Sequence, residues 1–583
     1  MKKWLSLMLL VLSMGAFAHA AEPVANRLSV WMWSDRYVYR PGESLTVRWA
    51  GRSNGDTTPY TVFFYRQNNQ TGKKYYLPLG TEEVTDVVGK TAGAGFTVLN
   101  AGDTPKSVVI GNGGLYPAIT IPNEFGMHTI VAEVRDATAT RVMKRVYLKI
   151  SVVSETVDVT GPITSDTTWV NTKNYILRGI VFVKSGATLT IEPGTVVQGA
   201  PGSQPPSALV VTREGKINAA GTRSRPIIMT SLQPFGQRTR GDWGGLVLLG
   251  KAPINVSANT NNLANPEGTF YIEGLAATSD GLYGGTEPNH NCGNLSYVRV
   301  EYAGAILSPN NELNSFTWGG CGKGTTANHL QAIYGLDDSF EWFGGNMDAK
   351  YLVGGLSADD FVDFQLGYTG RIQYGVFYQS NSARGNRGIE GDNSEYNNGA
   401  TPSSNPTMYN LTFIGSGQPG FDEANAPGLF LRRGARASLY NMAVMNFYSS
   451  AVELTDANTQ AQMDQGNVVM DGVLMWNNNV GTGGGLGITQ QISNAATQSF
   501  AQGTRGNGNG RNFSVADPKL ARLTDLSDPD FRPTVGSPAL SIGAVVPPDD
   551  GFFDQSAHFI GGMGEENWME EWTSFLQEPD IAQ

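Results

Sequence analysis

Leu336-Asp337-Asp338-Ser339-Phe340-Glu341-Trp342 is followed, 22 residues on, by Ala358-Asp359-Asp360-Phe361-Val362-Asp363-Phe364. Paired acids, an apolar residue, a third acid and an aromatic recur in the same order. Twenty-two residues is the length of one coil of a parallel β-helix, in which short strands stack to bury one continuous column. Alternation at period two then sends Phe340 and Val362, and Trp342 and Phe364, into that column. Glu341 and Asp363 go to the outer face.

The surrounding sequence has the same texture. Very short strands separated by Gly turns run through 181–197, 215–231 and 241–249. The chain holds 72 Gly in 583 residues, with 16% charged and 40% hydrophobic residues. Average domains carry about 25% charged residues and about 7% Gly. Aromatics at 10% exclude disorder driven by charge, and the glycines lack the three-residue period of collagen. Tight turns explain the glycines, which tolerate left-handed dihedrals. Asp530–Pro533 with Gly536–Leu540 reads as a final coil before a tail.

From about 25 to 155 the pattern is different. Alternating strands are expected at Leu28–Trp33, Ser44–Trp49, Thr61–Arg66, His128–Val134 and Val142–Val153, with a Pro41-Gly42 turn between the first two. This suits an immunoglobulin-like sandwich. The expected class is therefore all-β, with a right-handed parallel β-helix preceded by an immunoglobulin-like β-sandwich. Residues 1–20 read as a signal peptide, 21–155 as the sandwich, 156–548 as the β-helix and 549–583 as a C-terminal tail.

The leader reading rests on Lys2 and Lys3, an apolar run from Trp4 to Phe17, and Ala18-His19-Ala20. Cleavage is expected after Ala20. Export to the periplasm, the outer-membrane surface or the exterior follows. No later stretch is apolar enough for a transmembrane helix. Without Lys2 and Lys3, 39 basic residues face 52 acidic ones, a balance of −13. That argues against nucleic acid and admits cations or neutral glycans. Cys292 and Cys321 are the two cysteines and, in an oxidising compartment, are expected to pair.

Gly186–Gly194 (GATLTIEPG), Gly241–Lys251 (GDWGGLVLLGK), Tyr297–Gly304 (YVRVEYAG), Glu312–Gly320 (ELNSFTWGG), Asp337–Gly345 (DDSFEWFGG) and Asp549–Asp554 (DDGFFD) carry a resemblance. The chain resembles exported bacterial β-helix proteins of the pectin-lyase-like superfamily, and within it a family named for a leptospiral outer-membrane lipoprotein. Ala21 stands where a lipidated Cys would stand. The resemblance implies the fold and export but no agreed activity.

Chemistry concentrates on the acids. Carboxylates stacked about 4.8 Å apart repel by roughly 3 kcal/mol at an effective dielectric near 20. A bound cation, a shared proton or an arginine resolves this. Calcium, the one cofactor considered, would use Asp337, Asp338, Asp359 and Asp360. A shared proton would make a general acid beside a base. Arg387, in the run Arg384–Asn393, could offset the ladder or grip a uronate.

Aromatics such as Trp243, Trp318, Trp342, Phe343, Tyr374, Tyr378 and Trp476 pack inward or stack on sugars. Asn410, Asn441 and Asn446 read as turn residues. The four remaining histidines are scattered, and neither HExxH nor Gly-x-Ser-x-Gly occurs. The leading expectation is a non-catalytic envelope or surface protein that binds glycans or envelope components. The alternative is a polysaccharide lyase or hydrolase using Glu341, Asp363 and Asp360, with Arg387 steering an acidic sugar.

Overall fold

The computed structural model describes residues 28–575 except 54–59, 77–97, 100–101, 111–118, 137–140, 204, 309–310, 381–384, 422, 424 and 524–527. Residues 1–20, expected to be a leader, and Arg384 lie outside the described residues.

The first strands form where alternation expects them, at Leu28–Ser34, Val47–Ser53, Tyr60–Asn68, Gly126–Arg135 and Val142–Val152. They make a three-stranded and a six-stranded sheet. Leu28, Val30, Val47 and Trp49 from one sheet bury against Val62, Ile130, Ala132, Leu148 and Ile150 from the other. A β-sandwich results.

From Glu155–Val159 to Gly510–Val515 the strands stack in parallel as a β-helix. One sheet has fifteen strands and a second has nine, running from Ile180–Val183 to Val452–Leu454. Phe340 pairs with Val362, Glu341 with Asp363, and Trp342 with Phe364, which is the register the 22-residue step requires. Phe316 stacks on Phe340 at 5.3 Å, Trp318 on Trp342 at 4.9 Å, and Trp342 on Tyr368 at 5.4 Å, all inside the coil. Strands buried on both faces need apolar residues at nearly every position, which accounts for the scarcity of charge.

Each long strand of the larger sheet bends at one left-handed residue in matching register. These are Tyr297 (φ 49°), His329 (52°), Tyr351 (58°), Tyr374 (64°), Asn410 (57°), Asn441 (58°), Gly472 (75°) and Asn512 (52°). Asparagine tolerates this region because its side chain bonds locally. The tyrosines and the histidine are held there by stacking on one another.

The coil series ends at Gly510–Val515. Asp530–Pro533, expected as a last coil, pairs antiparallel with Leu520–Arg522 instead. Phe531 packs against Tyr378 at 5.3 Å on the outside of the long sheet, a burial that a stacked coil would forfeit.

The segment beyond it returns along that face as a strap. Asn441 bonds Val545, Gly561 N–H donates to Asn441 O, Gly562 N–H donates to Thr412 Oγ1, Asp554 N–H donates to Gln373 Oε1, and Ser574 bonds Gln331. A Cβ on Gly562 would lie 1.8 Å from Gly375 O, so only glycine lets the strap lie this close. Its end reaches the sandwich, where Glu571 pairs with Lys149 at 3.1 Å and Glu570 accepts from Tyr147 at 3.1 Å.

Cys292 and Cys321 form a disulfide with both residues fully buried in the coil interior. The bridge spans a separation of 29 residues. Cys292→Ala/Cys321→Ala is expected to lose about 3–4 kcal/mol by chain entropy. The shift in denaturant midpoint, and a matching shift of the wild type under reductant, measures it.

Candidate functional site

Three strands of the nine-stranded sheet, Phe340–Phe343, Val362–Gln365 and Ile389–Asp392, build the acidic site. Register aligns Glu341, Asp363 and Glu390 in one outward column. The turns before Phe316–Gly319, Phe340–Phe343 and Val362–Gln365 align Asn314, Asp338 and Asp360. Asn314 Oδ1 accepts the Asp338 N–H, Asp338 Oδ1 the Asp360 N–H, and Asp360 Oδ1 the Arg387 N–H. Each acid of this inner column therefore closes the turn of the next coil. That is a structural duty which the paired-acid repeat encodes.

Outward does not mean exposed. Glu341 is 3% exposed and Asp363 8%. A segment with the hairpin Thr269–Tyr271 and Leu282–Gly284 packs over this sheet, burying Ile254, Val256, Phe270 and Ile272 against Val247, Leu249 and Phe343. Glu273 of that segment faces Glu341, and burial with the charges of Glu312, Glu395 and Asp359 pushes it up to about 8.

Burial and neighbouring carboxylates raise Asp338, Glu341 and Asp363 well above the usual range. Asp360 is raised to about 7 and Glu390 to about 8, each first by burial. Arginines compensate one end of the ladder. Arg387 bridges Asp360, Glu390 and Glu423; Arg432 bridges Glu390 and Asp392; Arg433 pairs with Asp392 at 2.6 Å.

The structure thus brings five of the six candidate acids into two triads that share Asp338. Carboxylate oxygens of Asp337, Asp338 and Asp359 lie within 4.8 Å of one another, and so do those of Asp338, Glu341 and Asp363. Asp360 turns instead to Arg387. Trp243, Trp318, Trp342 and Tyr378 are buried.

A second site escaped the sequence reading. Tyr297, His329, Tyr351 and Tyr374 stack in series on the outer flank of the long sheet, with centroids 4.2, 4.3 and 4.9 Å apart. Trp568 of the strap stands edge-on to Tyr351 at 5.3 Å. Between strap and ladder lies a recess of about 310 Å³, whose polar rim includes Arg223, Asp554 and Glu566. Tyr374 Oη donates to Asp554 Oδ2 at 2.8 Å. Despite some burial, hydrogen bonds from Ser556 and Tyr374 hold Asp554 below the usual carboxylate range. Burial, with the Arg223 charge, lowers His329 to about 4, so its ring is neutral at neutral pH. The available signal was the recurrence of one aromatic per coil at 297, 329, 351 and 374. Its first step spans an insertion, which hid the period.

A family model described as a pectate-lyase-like β-helix domain matches residues 161–520. No curated protein and no solved structure matches the chain.

Proposed function

The chain belongs to the pectate-lyase-like β-helix domain family, and from that premise we propose that it is an exported bacterial envelope or surface protein that binds glycans without cleaving them. The leader, the absent catalytic motifs and the resemblance to the leptospiral lipoprotein family support this placement. The observation that carries the non-catalytic part is the burial of Glu341 and Asp363 beneath the covering segment. An acid/base pair must come within hydrogen-bond reach of the bond it cleaves. The enzymatic reading, with Glu341, Asp363 and Asp360 acting and Arg387 steering, requires that whole segment to lift.

Glycan contact is assigned to the recess of His329, Tyr351, Tyr374 and Trp568. The ring edges of the ladder and the Trp568 indole give the recess apolar walls for a sugar, and Asp554 at its rim accepts from sugar hydroxyls. The test is a glycan array with the mature protein, read for retention and for product release. Retention without product is expected, and Tyr351→Ala is expected to weaken it at least about tenfold, near 1.4 kcal/mol, in a variant whose unfolding midpoint shows it folded at the assay temperature. Product release that disappears in Glu341→Gln would establish the enzymatic reading in its place.

A further inference from the structure

We propose that Asp338, Glu341 and Asp363 hold one divalent cation, of the calcium type, enclosed between the β-helix and its covering segment. The inference goes beyond glycan binding and does not depend on it. Three carboxylates of neighbouring coils present oxygens within 4.8 Å of one another. Oxygens on opposite sides of a calcium ion, each about 2.4 Å away, are separated by that same distance.

A second observation points to a ligand. Asp363 is 8% exposed, yet its Oδ1 has no hydrogen-bond partner among the described residues. A buried carboxylate oxygen left without a donor is costly. Its neighbours Asp338 and Glu341 are acids as well and supply no donor in their ionised form.

Direct ion pairing is also one-sided, although the Arg432 charge acts on Asp363. Among the described residues, Arg387, Arg432 and Arg433 form ion pairs with Asp360, Glu390 and Asp392, and none forms one with Asp338, Glu341 or Asp363.

A shared proton is the competing resolution, and at Glu341 both oxygens already accept hydrogen bonds from amides. Asn314 Oδ1 accepts the Asp338 N–H, so its amide is oriented with Nδ2 donating to Glu341 Oε2. Gln365 Nε2 donates to Glu341 Oε1 at 2.9 Å. Both Glu341 oxygens thus have donors, while Asp363 Oδ1 has none among the described residues, and a cation between the three acids would satisfy that oxygen and balance their charges together. An oxygen-only donor set favours calcium over softer metals.

The experiment uses the full mature chain. Metal content is measured after dialysis, and unfolding midpoints are followed in chelator, in calcium and in magnesium. One calcium per chain is expected. Because an ion that binds only the folded state stabilises it by mass action, the midpoint should rise with the logarithm of calcium concentration above saturation. Asp363→Asn should abolish this response and, having lost a repelling charge, should match or exceed the metal-free wild type in stability. Glu341→Gln provides a second variant, also expected to lose the calcium response while folded. No metal and no response in the wild type, or an unchanged calcium response in folded Asp363→Asn and Glu341→Gln, would overturn the site.

Discussion

Trp342→Ala is expected to lower the free energy of unfolding by about 3–5 kcal/mol, the range for truncating a fully buried aromatic. Trp342 is fully buried, between Trp318 at 4.9 Å and Tyr368 at 5.4 Å. Removing it leaves a void flanked by rings of adjacent coils, which cannot close without shifting backbone strands that hydrogen-bond on both sides. Trp342→Phe should cost less than about 1.5 kcal/mol, since the ring remains. The indole Nε1 has no partner among the described residues, so no hydrogen bond goes with it. Denaturant midpoints of the two variants measure the contrast. Equal losses would mean that filling the column is not what stabilises it.

Trp572→Ala carries the other large effect, again about 3–5 kcal/mol. Trp572 is fully buried in the strap, its Nε1 donates to Trp568 O at 2.8 Å, and it stands edge-on to Tyr297 and His329, each at 5.7 Å. Unlike Trp342 it belongs to a segment outside the coils, so its loss should first free the strap. Limited proteolysis should then cut within 545–575 before the β-helix unfolds. Glycan retention should fall with it, since Trp568 lines the recess. A variant that is destabilised but resists cleavage there would argue that the strap unfolds only with the coils.

The coil was legible because its cause is local and periodic. Stacked strands repeat residue types at a fixed step, and Asp337/Asp359, Phe340/Val362, Glu341/Asp363 and Trp342/Phe364 repeat them strictly enough to give the register. The strap was not legible, since nothing periodic marks a single crossing. Trp568 and Trp572 are spaced four apart but meet no helix of their own. The aromatic recess was half legible. One ring per coil was present in the sequence, yet which face those rings took depended on the left-handed bend at each of them.

The sequence alone determined the solenoid, the register of one coil and the existence of an acidic column, because side-chain alternation and stacking distance follow from the strand itself. Only the tertiary structure decided whether that column meets solvent. Glu341 and Asp363 point away from the core, as alternation requires, but a segment more than fifty residues upstream lies over them. That cover turns surface acids into buried ones, raises their proton affinity and closes them to a polymer. Exposure is set by what packs on an outer face, and that partner need have no sequence period in common with it.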